Sequence, residues 1–266
     1  MKKFLHILTW LCWMLSGAGL FVLLGFARDT YLSSPLKTIQ LKVEHNDVCT
    51  FLPEDSVRFQ IDQLYGRAIG QPMRRINIEK LTQTLSVNPW VKSVKASTAI
   101  DGILKVEVSE RRPVIRVFSS DGHSVYLDEE GFAFITQAHN TARVQMASGN
   151  IAFPPLPFNR STHISNKIYR KTPLADLLKI GKQIESDPFA DALIDQIYVS
   201  SLGEYELSPK VGHVNIIIGD TTDIAEKIEK LSAFYKEKAG SQEFQQYQTI
   251  NLKFKHQIVC IKKLAI

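Results

Sequence analysis

Cysteine is scarce in this sequence, and its spacing excludes the sites that cysteine usually builds. The 266 residues include three cysteines, Cys12, Cys49 and Cys260, with no CxxC pair among them. A structural zinc site needs clustered thiolates or imidazoles, and a small disulfide scaffold needs several cysteine pairs. The sequence therefore predicts no metal site, and no other feature in it indicates a cofactor.

The motifs of the common enzyme classes are also lacking. There is no GxSxG elbow, SxxK pair, phosphate-binding loop or GxGxxG turn, and the seven histidines show no HExxH spacing. The acids at 128–130 could pair, but consecutive acids before an apolar run are typical of a turn. Since catalytic groups can assemble from distant positions, these absences favour a non-enzymatic binding protein without excluding catalysis.

Positively charged residues outnumber negatively charged ones only slightly. Lys plus Arg number 32 and Asp plus Glu 27, a net charge of +5, of which Lys2 and Lys3 supply two. This is too mild to indicate nucleic-acid binding. A hydrophobic content of 44% with 22% charged residues is typical of folded proteins, and the length allows one large domain or two ordinary ones.

One long hydrophobic run is present, at residues 4–26, which contain no charge. About 20 apolar residues cross a bilayer as a helix. Lys2 and Lys3 favour a short cytoplasmic stub at 1–3 and an extracytoplasmic body. The alternative is a cleaved signal peptide, whose apolar region is usually about 7 to 15 residues long, so the longer run favours a retained anchor.

The two cysteines beyond this run bear on the compartment. In an oxidising compartment Cys49 and Cys260 could form a disulfide. They are 211 positions apart in the sequence, so we expect them to lie in different domains, as two unpaired thiols on buried strands.

Residues 27–36 are predicted to be a linker, and residues 37–112 a first domain. Ile39, Leu41 and Val43 alternate with polar residues, which predicts a strand. Two amphipathic helices follow, at 53–65 and after Asn77. Two further strands flank a turn at 101–102, and the order strand, helix, helix, strand, strand predicts an α+β domain.

Residues 113–266 are predicted to form a second, β-rich domain with helices. A meander is expected at 114–118, 124–127 and 132–135, and a surface excursion at 137–172 with one strand near 144–147. Further segments are predicted as follows: a helix from Leu174 to Asp187-Pro188, strands at 194–199, 205–207 and 214–218, a helix at 223–238, and final strands at 250–254 and 257–261.

Four segments of this sequence together resemble the FtsQ/DivIB family of bacterial cell division proteins. They are NPWVKSV at 88–94, DGILKVEVSERRP at 101–113, YLDEEGF at 126–132 and INLKF at 250–254. The family has "hPWV" and "V-x-E-R-x-P" elements in a POTRA domain, then an "hD-x-x-G-h-h" hairpin and a closing "h-D-L-R-Y" strand. The chain departs from this pattern in its short stub, in Asn251 at the place of an acid, and in residues 154–165.

The resemblance implies a non-enzymatic, single-pass inner-membrane protein at the division site. It implies a scaffold that binds the bitopic proteins FtsB (DivIC) and FtsL, with other divisome proteins, and couples septum assembly to septal peptidoglycan synthesis. The family's last strand is the partner site, which here predicts the following residues: Phe254, Lys255, Gln257, Ile258, Val259, Cys260 and Ile261.

Other interpretations stay open at this point. The last strand could instead be a covered core strand. The chain could be a POTRA-containing receptor or chaperone of envelope assembly, although such modules occur in series or before a β-barrel. It could also be an anchored enzyme acting on peptidoglycan.

Overall fold

The computed structural model describes residues 2–99, 101–136 and 141–263. Contact clustering divides the chain into two compact units. The first comprises residues up to Glu44, Leu52–Ser86 and Ser93–Ser109, and the second comprises His45–Phe51, Val87–Lys92 and the chain from Glu110 onward. His139 and the beginning of the predicted 137–172 excursion lie outside the described residues.

The first unit begins with one long helix, α1 (Lys2–Ser33). Among the described residues it is the one helix long and apolar enough to cross a membrane. The predicted linker at 27–36 is wrong over residues 27–33, because they continue α1. Residues 27–33 contain neither glycine nor proline, and Pro35 then disfavours helix at Ser34. The Ser34 side chain closes the end by donating to the Tyr31 carbonyl at 2.7 Å.

The rest of the first unit confirms the predicted order of strand, helix, helix, strand and strand. Its elements are β1 (Thr38–Glu44), α2 (Glu54–Tyr65), a 3₁₀ turn (Met73–Arg75), α3 (Ile78–Ser86), β2 (Val91–Thr98) and β3 (Ile103–Glu110). The sheet order is β1-β3-β2, and β1 runs parallel to β3. The core confirms the predicted faces: Leu104, Val106 and Val108 are fully buried, with Val57, Ile61, Leu81 and Leu85 of the helices.

The second unit is built on one ten-stranded sheet in the order β13-β12-β11-β10-β9-β7-β4-β5-β6-β8. Its strands are β4 (Pro113–Phe118), β5 (Ser124–Asp128), β6 (Phe132–Ile135), β7 (Gln145–Gly149), β8 (Thr162–His163), β9 (Ile194–Val199), β10 (Tyr205–Pro209), β11 (Asn215–Gly219), β12 (Tyr247–Asn251) and β13 (Val259–Lys262). The predicted meander of β4, β5 and β6 is confirmed, and β7 pairs in parallel with both β4 and β9.

Helices α4 (Leu174–Ser186), α5 (Pro188–Leu193) and α6 (Ile224–Lys238) contribute apolar side chains to the core of this unit. Helix α5 was not predicted from the sequence, because Asp187-Pro188 indicates the end of α4. The same two residues also begin α5. Asp187 Oδ1 accepts the backbone N–H groups of Phe189 (2.9 Å) and Ala190 (3.2 Å), and proline suits the first helical position.

Two segments before Glu110 join the second unit through aromatic packing. Phe51 stacks on Trp90 with ring centroids 6.5 Å apart, and it contacts Tyr126 at 5.4 Å and Phe134 at 6.4 Å. The Trp90 indole N–H donates to the Ile135 carbonyl at 3.1 Å. Residues 45–51 and 87–92 therefore group with the second unit, although they precede the predicted domain limit at 112.

The predicted strand at 250–254 is wrong at both limits, because the strand β12 begins three residues earlier, at Tyr247, and ends three residues earlier, at Asn251. The strand β12 ends at Asn251, whose side-chain oxygen accepts the N–H of Lys253 at 3.0 Å and turns the chain. Leu252 stays buried, and its N–H donates to the Ile217 carbonyl of β11 at 2.8 Å, so one backbone hydrogen bond to β11 lies just beyond the end of β12. The final strand begins at Val259, two residues later than predicted.

Candidate partner-binding edge at the C-terminal strand

Strand β13 lies at one end of the ten-stranded sheet. It pairs antiparallel with β12, with Asn251 opposite Val259 and Ile250 opposite Cys260. Within the described residues, no strand pairs with its other side. A free strand edge presents unpaired N–H and C=O groups that can accept a further strand.

The side chains of β13 alternate between the core and the surface. Ile258, just before the strand, and Cys260 are partly buried and pack on the hydrophobic core. Val259 is 37% exposed and Ile261 is 53% exposed on the opposite face. The interpretation of 258–261 as a covered strand does not fit this exposure. An added strand would meet two apolar side chains on the outer face.

Backbone geometry indicates which groups of β13 point to the open side. The Lys263 N–H donates to the Gln246 carbonyl at 2.7 Å, toward β12. Because N–H directions alternate along an antiparallel strand, those of Ile261 and Val259 also point toward β12. The irregularity in this pairing lies on β12, between Tyr247 and Thr249, so β13 keeps its alternation. The N–H groups of Cys260 and Lys262 are therefore the donors of the open edge.

The other predicted site residues lie in the connection before β13. Phe254 is 45% exposed, and Lys255 and Gln257 are also exposed. The connection is held from α6, since Lys230 Nζ donates to the carbonyls of Phe254 (3.1 Å) and Lys255 (2.8 Å). The predicted set is thus divided between an exposed connection and the edge strand, which are consecutive in the chain.

The surroundings of β13 are rich in lysine. Lys262 Nζ lies 3.6 Å from the Glu243 carboxylate, and Lys253 Nζ lies 2.8 Å from Glu204.

Burial, with a contribution from the charge of Glu243, raises the pKa of the Cys260 thiol. The thiol is free, and Cys49 is also free. Both belong to the second unit, which corrects the expectation of different domains, and Cys49 lies on a loop rather than on a strand.

An apolar cavity of about 670 Å³, which was not predicted from the sequence, adjoins this region. It is lined by residues of α5 and α6, by the loop after β10, and by Phe244, Tyr247 and Lys263. The Tyr235 hydroxyl is buried there without a hydrogen-bond partner among the described residues, and burial raises its pKa. The signal that could have revealed the cavity is the concentration of Phe234, Tyr235, Phe244 and Tyr247 just before β13.

Glu110 and Arg111 of the motif at 101–113 are buried and form contacts within the second unit. Glu110 accepts the Phe51 N–H and lies 3.0 Å from His45 Nδ1. Arg111 is 6% exposed and pairs with Asp128 at 2.6 Å, while its guanidinium lies 4.2 Å from the centre of the Phe132 ring. These contacts stabilise the start of the second unit. They join the segment at 101–113 to the segment at 126–132, two of the four segments that resemble the family.

Comparison with protein families defines the class of the chain. A model described as "POTRA-like domain" matches residues 36–109, and one described as "FtsQ/DivIB, C-terminal related" matches residues 112–261, more than half of the chain. The protein thus combines a POTRA-like domain with a β-rich domain of this type.

Three curated relatives are each named "Cell division protein FtsQ". The one from Rhodothermus marinus is 27% identical over 65% of this chain and 60% of its own length. The one from Geobacter sp. is 29% identical over 44% and 42%, and the one from Corynebacterium glutamicum is 28% identical over 34% and 40%. The chain thus spans about two fifths to three fifths of each relative. With more than half of it matched by the family model, the chain belongs to the FtsQ/DivIB family.

Proposed function

We propose that this chain is a non-enzymatic cell division protein that α1 anchors in the inner membrane as a single pass. Its family and the names of its relatives support this role. The N-terminus lies in the cytoplasm, since Lys2 and Lys3 precede the apolar run. Its two extracytoplasmic domains, residues 37–112 and 113–266, act at the division site, and residues 45–51 and 87–92 of the first pack with the second.

Its proposed partners are single-span division proteins of the FtsB/DivIC and FtsL types, together with other divisome proteins. Through them the protein couples septum assembly to septal peptidoglycan synthesis. The observation that carries the proposal is the open edge of β13, with two outward N–H groups and exposed Val259 and Ile261. A partner strand that pairs there gains main-chain hydrogen bonds, and its alternate side chains contact these two residues.

The connection at 254–257 extends the same surface. Phe254 offers apolar area next to Lys255, and Lys262 adds a further charge on the strand. A partner with acidic residues beside its added strand would complement these lysines and bind with better orientation. Salt would then weaken the association without abolishing it, because the main-chain hydrogen bonds are not screened as surface charges are.

The test is a Lys262→Pro variant of the full chain, assayed by co-purification with the FtsB/DivIC-type and FtsL-type proteins of the same organism. Proline removes an N–H that points to the open side and leaves the pairing with β12 in place. We expect a roughly tenfold or larger loss of binding, since a hydrogen bond is lost and the ring obstructs the incoming strand.

Lys262→Ala is the matched control, because it removes the same side chain and keeps the N–H. It should bind within about twofold of the original protein, as an exposed ion pair contributes little. Val259→Pro would be a poorer test, since it removes a donor directed toward β12 and loosens β13 itself. Equal binding by the Lys262→Pro and Lys262→Ala variants would contradict strand addition at this edge.

A further inference from the structure

Four exposed arginines in the first unit have no assigned role. Arg28 lies on α1, Arg67 on the loop after α2, and Arg74 and Arg75 on the 3₁₀ turn. Within the described residues none of them forms an ion pair or a side-chain hydrogen bond. Ile69, in the same loop, is 51% exposed. We call Arg67, Ile69, Arg74 and Arg75, together with Arg28, the juxtamembrane patch.

Backbone hydrogen bonds tie this loop to the end of α1. The Gly70 N–H donates to the Leu36 carbonyl at 2.7 Å, and the Leu36 N–H donates to the Gln71 carbonyl at 2.8 Å. The Met73 N–H donates to the Ser34 carbonyl at 2.9 Å. The 3₁₀ turn also contacts α1. The loop and the 3₁₀ turn are therefore held against the chain just beyond the end of α1.

The height of the patch follows from helix geometry. The uncharged run ends at Phe26, and Ser34 lies eight residues further, roughly 12 Å along the axis. The headgroup layer adds about 5 to 8 Å to each side of the hydrocarbon core. Charges are felt over a further Debye length of about 8 Å in physiological salt. A patch tied to Ser34–Leu36 thus lies within electrostatic reach of the headgroups.

We propose that the juxtamembrane patch binds the phosphate groups of anionic phospholipids, an inference that rests on the proposed anchoring by α1. Guanidinium groups match phosphate oxygens in paired hydrogen bonds, and an exposed isoleucine suits the interface between headgroups and acyl chains. Asp29 directly follows Arg28, so Arg67, Arg74 and Arg75 carry most of the attraction. The surface fixes the height and tilt of the first unit above an anionic membrane.

The test compares arginine modification in the full chain, reconstituted in nanodiscs of phosphatidylcholine alone or mixed with an equal part of phosphatidylglycerol. Phenylglyoxal modifies accessible guanidinium groups, and mass spectrometry measures the rate at each arginine. We expect Arg74 and Arg75 to react about fivefold more slowly in the anionic discs. A basic side chain near an anionic surface gains about 1 kcal/mol, which corresponds to a roughly fivefold smaller unbound and reactive fraction. About 0.5 M NaCl should remove most of this protection.

Arg58 on α2 is the matched control within the same molecule. It is exposed, it has no ion pair among the described residues, and it lies seven residues before Tyr65, roughly 10 Å from the end of α2 that Gln71 ties to the patch. Its rate should depend on the lipid clearly less than the rates of Arg74 and Arg75. Adding millimolar inorganic phosphate to the phosphatidylcholine discs should not protect Arg74 or Arg75, which distinguishes a lipid surface from free phosphate.

The outcomes separate this inference from the proposed function. Equal rates at Arg74 and Arg75 in both discs, or equal slowing of Arg58, would overturn the lipid-binding surface. Protection only on addition of a division protein would assign the patch to a protein partner instead. Failure of the chain to enter the discs would contradict the anchoring itself, whatever the arginine rates.

Discussion

Removing the Arg111 guanidinium should destabilise the second unit more than most single substitutions. Arg111 and Asp128 are 6% and 2% exposed, and their side chains are 2.6 Å apart. An Arg111→Met change leaves the Asp128 carboxylate buried without its cation. Breaking a buried pair from one side costs about 3 to 5 kcal/mol, against about 1 kcal/mol or less for a surface pair.

Hydrogen exchange with mass spectrometry can measure this loss in the intact, membrane-anchored chain. Amides of β4 and β5 should exchange roughly 10² to 10³ times faster in the Arg111→Met variant, if they exchange through opening of this unit. Amides of α2 and α3, in the first unit, should change little.

A second substitution provides the control. Asp128→Asn removes the charge and keeps the side-chain oxygen that accepts the N–H groups of Glu130 (3.0 Å) and Phe132 (2.8 Å). The double variant Arg111→Met/Asp128→Asn should therefore recover most of the lost protection. If Arg111→Met alone changed exchange less than about fivefold, the reasoning from a buried, uncompensated carboxylate would be refuted.

Two further predictions concern backbone strain and a buried thiol. Gly149 has φ +108°, and a Cβ there would lie 2.3 Å from the Val199 carbonyl oxygen, so Gly149→Ala should cost at least about 3 kcal/mol in thermal or chemical unfolding. Gly122→Ala, at φ +96° with open space, should cost clearly less, and equal costs would contradict the steric argument. Burial, followed by the charge of Glu110, raises the pKa of the Cys49 thiol to about 12. At pH 8 iodoacetamide should then react with Cys49 roughly 10³-fold more slowly than with the unfolded chain, and the rate should rise about tenfold per pH unit; a rate within tenfold of the unfolded thiol would contradict this.

The first unit could be predicted largely from residue periodicity. The alternation in β1 and β3 and the helical spacing in α2 and α3 place the same residues in the core that the structure buries. Local pattern was sufficient because each element has one apolar face. The limits of the two units that were not predicted depend on contacts between residues that are distant in the sequence. Phe51 and Trp90 join the second unit because they pack with Tyr126 and Phe134 and donate hydrogen bonds to Glu110 and Ile135 of that unit.

The candidate site shows a different limit of sequence reasoning. The apolar residues of 250–261 predict two strands, but Asn251 makes a local turn through its side chain, which ends β12 before the apolar residues end. The burial of Leu252 beyond that turn depends on contacts distant in the sequence. The order of strands in a sheet cannot be derived from periodicity, so the edge position of β13 had no local signal. The resemblance to a family supplied that expectation, and the structure added the direction of each N–H group.

Helix α1 continues without a break to the first strand region of its unit. Its length therefore determines both the height of the first unit above the membrane and the direction in which that unit faces. Each residue of a helix adds about 1.5 Å along its axis and turns the chain by about 100°. A flexible linker would absorb an insertion near residue 30, whereas a continuous helix passes on both the displacement and the rotation. The number of residues between the bilayer and Ser34 therefore determines which side of the first unit faces a neighbour in the membrane plane. Changes in that number are tolerated best in steps of whole helical turns.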